Sequence, residues 1–358
     1  MKAATVVSCL AALANGAAVN LGRRAEPLDV KIEQVGNSEL KASITNTGST
    51  PLRVLKAGSI LDGSPVEKAQ FSTSSYLTLS IVSKVAFTGV RVYVHDADLP
   101  DSAFQTIEAG EVVKVQWDAA QVHDLSSGGD FNISSTGSLR YAEEGSNKIA
   151  GQVVFDSGVL QATVDGTQAA SVHAAFHESL NAKRVTIQSD CTGTKKTAVT
   201  AALSKAKTYA TNAQTAANAG TRLQQYFKST TSSTKSTVAG VFGKAATLLG
   251  STSSGAGLYC TDVGNFCSDG VVAYAQPGSG GYIVVCDYFF QFPASTTSCR
   301  ATDQPYVLVH ESTHLTEVGG TDDVCYGYEG CVDSLSTSQA LNNADSFAMY
   351  SQGIQTNC

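Results

Sequence analysis

Between residue 28 and about residue 165, apolar side chains recur at every second position in short runs. Leu28, Val30 and Ile32 alternate with Asp29, Lys31 and Glu33, and an Asn37-Ser38 turn leads into Leu40, Ala42 and Ile44. Val90, Val92 and Val94 alternate with Arg91, Tyr93 and His95, and Val113, Val115 and Trp117 with Lys114 and Gln116. A period of two marks strands with one face buried, and the Gly, Asn, Ser and Pro clusters between the runs mark turns. Many short strands of this kind predict one antiparallel β-sandwich holding all of these runs. A helix from Gln168 to Leu180 follows it.

Beyond residue 190 the pattern changes. Lys195 to Ala219 is rich in Ala, Lys and Gln and meets no Gly or Pro before Gly220, which predicts a long helix. Thr221–Lys228 and Ser236–Leu249 continue in the same style. Gly270–Ala275 and Tyr282–Cys286 are apolar runs joined by a Gly-rich turn, and predict a hairpin. Tyr288, Phe289, Phe290 and Phe292 after it read as core, with a substrate pocket as the alternative. Tyr306, Val307, Leu308 and Val309 then run into His310 as a buried helix, with Asp303 as its N-cap and Pro305 in its first turn. The expected fold is an all-β, sandwich-like domain followed by a mainly helical α+β domain.

Cysteine usage sharpens this division. Of nine cysteines, Cys9 stands alone near the start, and the other eight all lie beyond residue 190. An even set in one half of a chain reads as a disulfide-bonded domain beside a cysteine-free one, in an oxidising compartment. The first residues agree: Met1-Lys2, an apolar run through Val6, Val7 and Leu10 to Leu13, and the small Gly16-Ala17-Ala18 predict a secretory signal over 1–18. No other stretch approaches the roughly 18 apolar residues of a membrane span. Lys183-Arg184 stands between the two halves, just before the first cysteine of the second, as a dibasic processing site would. The domains expected are a signal over 1–18, a β pro-domain with a C-terminal helix over 19–184, and a mature domain over 185–358.

The mature segment contains two histidines, both in His310-Glu311-Ser312-Thr313-His314. Residues four apart share a helix face, so both imidazoles can bind one metal ion, and Glu311 then lies where it can take a proton from water. A catalytic zinc site generally has three protein ligands and an open position. No histidine follows His314, so the third ligand has to be Asp, Glu or Cys. Asp323, Asp345, Glu329 and Cys325 are the candidates that lie downstream.

The pentad followed by Gly320-Thr321-Asp322-Asp323-Val324-Cys325-Tyr326-Gly327, and then by Leu341-Asn342-Asn343-Ala344-Asp345, resembles the deuterolysin family (aspzincins, fungal neutral protease 2). The resemblance implies a secreted zinc endopeptidase of zincin fold, with one zinc per mature chain. It makes His310, His314 and Asp323 the zinc ligands, Glu311 the general base, and Tyr326 an oxyanion donor. Asp345 is expected behind a ligand histidine as a hydrogen-bond acceptor. The resemblance also implies the disulfides Cys191–Cys260, Cys267–Cys286 and Cys299–Cys358, which leaves Cys325 and Cys331 to pair, and it points to the same cut after Arg184. The hairpin at 270–286 is the candidate sheet edge along which extended substrate would run.

The partners expected are protein and peptide substrates, a dibasic processing protease, and the chain's own pro-domain as inhibitor or folding aid. With 9 basic and 12 acidic side chains, the mature segment has no basic stripe for nucleic acid. Its acidity could favour basic proteins, and a monomer without membrane attachment is expected. His173 and His177, four apart, read as an exposed helix face rather than a metal pair. The alternative function is a non-enzymatic secreted metal-binding or surface-interaction protein with a relic zinc site, for which an intact Glu311 and Tyr326 would have no use.

Overall fold

The computed structural model describes residues 27–73, 83–181, 189–250, 257–268, 270–278 and 281–358; the segment 1–18 and Lys183-Arg184 lie outside them. The N-terminal region holds strands β1 (Leu28–Gln34), β2 (Glu39–Asn46), β3 (Leu52–Leu55), β4 (Gln70–Thr73), β5 (Arg91–Val94), β6 (Phe104–Ile107), β7 (Val112–Asp118), β8 (Gly129–Ala142) and β9 (Ile149–Val164). Helix α1 (Gly166–Asn181) follows. The C-terminal region begins with helices α2 (Gly193–Ala219), α3 (Leu223–Phe227) and α4 (Ser232–Gly250), then strands β10 (Gly257–Tyr259), β11 (Val271–Gln276) and β12 (Tyr282–Val285). It ends with helices α5 (Gln304–His314), α6 (Tyr328–Val332), α7 (Thr337–Leu341) and α8 (Ala344–Thr356).

Two antiparallel sheets make up most of the N-terminal region, one in the order β1-β2-β7 and one in the order β4-β8-β3-β6, with β9 paired to β8. The alternation in β1 and β2 puts Val30, Ala42 and Ile44 on one face. There they meet Val54, Ile107 and Leu139 of the second sheet in a shared core. Registering Val30 against Ile44 keeps the apolar faces of the pair together, since a slip of one residue would turn every side chain over.

Strand β5 departs from the expected sandwich. It leaves the N-terminal sheets and forms the edge of a third, ordered β10-β12-β11-β5, antiparallel to β11. Alternation identifies a strand but carries no information about which sheet receives it. Here both faces are covered: Val92 and Val94 pack with Tyr274 and Val284, and Tyr93 joins the core of the C-terminal region on the other side. All four residues of β5 are buried.

The helices pack around α5, every residue of which is buried. Ala202, Ala206, Ala210, Ala213 and Ala217 line the buried side of α2 at helical spacing, so that the small side chains allow close approach to its neighbours. Gly220 ends α2 in the left-handed conformation, at φ 83°. Phe289 is fully buried, and Tyr288, Phe290 and Phe292 pack against the same core, so the aromatic run serves packing. Disulfides join Cys191–Cys260, Cys267–Cys286, Cys299–Cys358 and Cys325–Cys331. Among the described residues no helix is long and apolar enough to cross a membrane.

Candidate metal centre and active site

Helix α5 starts where Asp303 accepts a hydrogen bond from the Tyr306 amide at 2.9 Å. The other oxygen of Asp303 accepts from the Tyr209 hydroxyl at 2.7 Å, which ties the helix start to α2. His310 and His314, one turn apart and both buried, bring their Nε2 atoms to 3.1 Å. Each ring is held through its other nitrogen. His310 Nδ1 lies 3.2 Å from Asp345 Oδ1, and His314 Nδ1 lies 2.8 Å from the Thr321 carbonyl. A carbonyl can only accept, so His314 carries its proton on Nδ1 and presents a lone pair at Nε2.

The chain after α5 must reverse to bring Asp323 back. Gly320 sits at φ 59°, a left-handed conformation that glycine adopts at little cost. At Gly319 a Cβ would come within 3.0 Å of the Thr313 carbonyl. The return is then pinned by the Thr321 amide on the Thr313 carbonyl at 3.1 Å and by the two threonine hydroxyls at 2.9 Å. Asn343 Oδ1 accepts from the amides of Val324 and Cys325 at 2.9 and 3.2 Å. Asp323 thereby places Oδ1 3.2 Å from His310 Nε2 and Oδ2 3.4 Å from His314 Nε2. Among the described residues, His310, His314 and Asp323 form the one group of three such donors, all within 4.8 Å of one another.

Two imidazole nitrogens and a carboxylate facing one point suit a divalent metal such as zinc. The electrostatics agree. Burial alone would make His310 hard to protonate, but Asp323 and Asp345 outweigh it and raise its pKa to about 10. Burial opposes the charge on Asp323 as well, yet the adjoining imidazoles hold its carboxyl well below the usual range. The cluster therefore favours positive charge at its centre. Both oxygens of Glu311 are buried without a hydrogen-bond partner, and burial raises its pKa to about 8. An orphaned carboxyl beside three converging donors is a group waiting for a proton-bearing ligand.

Tyr326 stacks along His310 with ring centres 6.1 Å apart, and burial keeps its phenol protonated. Its hydroxyl donates to the Val92 carbonyl at 3.2 Å. Asp345 accepts from the Tyr306 hydroxyl at 2.6 Å and, through Oδ2, from the Gly327 amide at 2.6 Å. One carboxylate thus positions both a histidine and the backbone that follows Tyr326. Glu329 is exposed at the start of α6, outside the cluster, and Cys325 is bonded to Cys331 and offers no thiolate. His173 and His177 are half-buried, with their Nε2 atoms 3.2 and 3.0 Å from the Thr88 hydroxyl, rather than lying on an open helix face.

Comparison with known proteins decides the class. The description "Deuterolysin metalloprotease (M35) family" matches residues 1–358. The chain belongs to the deuterolysin metalloprotease family. A neutral protease 2 homolog of Colletotrichum graminicola is 43% identical over 364 residues, covering 100% of both chains. One from Pyricularia oryzae is 42% identical over 355 residues, covering 99% of this chain and 98% of its own. Among solved structures, a zinc peptidase from Grifola frondosa is 28% identical, covers 46% of this chain and 97% of its own, and superposes with a TM-score of 0.39. As a deuterolysin-family member the chain is a metalloendopeptidase, and family membership runs through the N-terminal β region as well as the helical one.

Helical spacing pointed to the pentad and left four candidates for the third ligand, among which the family resemblance pointed to Asp323. It missed Thr321, whose carbonyl orients His314, and Tyr306, whose hydroxyl anchors Asp345. It also missed every N-terminal residue that reaches the site. For those, the only signal was an alternating run, Val90 to His95, with an arginine and a tyrosine on one face.

Proposed function

We propose that the chain is a secreted zinc endopeptidase made as a precursor, with 19–184 as pro-region and 185–358 as the catalytic part released by cleavage after Arg184. His310, His314 and Asp323 hold the zinc. A zinc ion bound there would supply Lewis acidity, lowering the pKa of water and polarising a carbonyl. Glu311 accepts a proton at a carboxylate oxygen as water attacks the peptide carbonyl, and returns it to the leaving amine. Its buried, unpartnered oxygens are the single observation that carries the reading, because a raised carboxyl pKa suits a group that both takes and gives a proton near neutrality. Tyr326, kept protonated by burial, donates to the developing oxyanion. Asp345 fixes the ring of His310 and the backbone after Tyr326.

Casein hydrolysis by the chain cut after Arg184, with chelator and then with zinc restored, tests this. Loss and recovery, with about one zinc per molecule by metal analysis, is the expected result. A folded, zinc-loaded chain that cleaves no protein would return the reading to a binding protein. The leader-like composition of 1–18 and the four disulfides, which suit an oxidising compartment, support secretion.

A further inference from the structure

Without β5, strand β11 would be the edge of its sheet, with a row of unpaired amides and carbonyls beside the metal helix. Such an edge is where extended peptides add as an extra strand. The edge is already filled, antiparallel, by residues Arg91–Val94 of the N-terminal region. The position of this strand over the site is specific. Val92's carbonyl takes the hydrogen bond of the Tyr326 hydroxyl, the group assigned to oxyanion stabilisation. Tyr93 sets its ring edge-on to His310, with centroids 4.7 Å apart, and approaches Tyr326 at 6.0 Å. Its hydroxyl lies 3.3 Å from that of Thr302, just ahead of α5.

Register is fixed by charge. Arg91, buried, bonds to Asp322, the neighbour of the proposed ligand Asp323, and to Glu67 of its own region, whose side chain is 2% exposed. Lys84 reaches the other oxygen of Asp322 at 2.7 Å. A buried guanidinium between two carboxylates is costly to move by even one residue, because a shift would leave an unpaired charge inside. On the far side, Arg140 lies over the Tyr326 ring at 4.8 Å and pairs with Asp96 just past β5.

From this geometry we propose that residues 90–95 occupy the substrate's own path as an added strand, with Val92's carbonyl in the place of a scissile carbonyl, and so hold the site closed while the two regions remain associated. The inference rests on the peptidase reading above and names its regulator. The Tyr93 ring packs edge-on against His310 from the same strand, so the strand that fills the edge also covers that histidine.

The test uses the full chain carrying Lys183→Ala and Arg184→Ala, so that the halves stay joined, with Arg91→Glu or Tyr93→Ser added. Tyr93→Ser leaves the arginine pair intact and covers the case in which Arg91→Glu does not fold. Amide hydrogen exchange over Val271–Gln276 reads the strand pairing, and chelator-sensitive casein hydrolysis reads access. Both variants should exchange those amides about tenfold or more faster than the joined parent and hydrolyse casein about tenfold or more faster. Unchanged exchange in both variants overturns the inference. So does faster exchange without added hydrolysis when the chain cut after Arg184 is active, and so does a joined parent as active as the cut chain. If the cut chain too is inactive, the peptidase reading fails, and the exchange result alone decides whether this strand covers the edge.

Discussion

His123 in the N-terminal region lies between Phe71 and Phe87, its Nε2 3.0 Å from the Ala69 carbonyl, and burial pulls its pKa down to about 3. His310 in the C-terminal region is buried as completely, yet its pKa rises to about 10 because Asp323 and Asp345 stand against its two nitrogens. Equal burial gives opposite outcomes. An imidazole among rings and a carbonyl becomes a neutral packing element. An imidazole whose carboxylate neighbours are themselves fixed by the Gly319-Gly320 turn and α8 becomes part of a cluster that could hold a cation. What separates structure from chemistry here is the company a buried histidine keeps, more than how deeply it is buried.

The sharpest test of that contrast removes the one carboxyl in the cluster that is neither paired nor a proposed ligand. Glu311→Gln should lower casein hydrolysis by about 10³–10⁴-fold, with zinc content unchanged by metal analysis. Loss of zinc instead would make Glu311 part of the scaffold. A second test concerns what keeps each region folded. The N-terminal region from residue 27 onward has no cysteine, whereas Cys299–Cys358 ties the approach to α5 to the end of α8. Replacing both with Ala should cost the C-terminal region about 4 kcal/mol in denaturant. The fluorescence transition of Trp117, the sole tryptophan, should stay where it was, since Trp117 reports β7. A shift of both transitions together would mean that the regions unfold as one.

Tyr326→Phe keeps the stacked ring and removes only the hydroxyl that now meets Val92. Hydrolysis by the cut chain should fall about 10²–10³-fold with zinc retained, and full activity would remove the oxyanion role. The smallest effect lies with His123. Its folded pKa is depressed, so its neutral form stabilises the fold at pH 7, and the unfolded chain binds the extra proton as pH falls from about 6.5 toward about 3. Trp117 unfolding should show about 2 kcal/mol lost between pH 7 and pH 5, and His123→Gln should flatten that slope. An equal slope in the variant would assign the acid sensitivity to other groups.

Local patterns carried most of the fold. The alternating runs, the Ala-rich helix ending at Gly220, the hairpin and the Asp303 cap all depend on neighbours in sequence, and each appears where the residues put it. Two of the three donors were legible for a similar reason, since they sit on one helical turn, whereas Asp323 stood apart from Asp345, Glu329 and Cys325 only through the family resemblance. What could not be read was long-range. Nothing in Val90–His95 says that its strand partner lies at Val271–Gln276, or that Arg91 will find Asp322, because strand pairing depends on a match between distant surfaces. The roles of Thr321 and Tyr306 were hidden likewise, one acting through a backbone carbonyl and the other from inside an apolar run.

The pairing of β5 with β11 also sets an order of events during biosynthesis. A ribosome makes the chain from its N-terminus, so Arg91–Val94 emerges, and its sheets can begin to fold, long before Val271–Gln276 or α5 exists. The covering strand is therefore waiting when the helix that carries His310 and His314 arrives. On the proposal made above, the cell would never have to hold a finished cutting centre that lacks its cover.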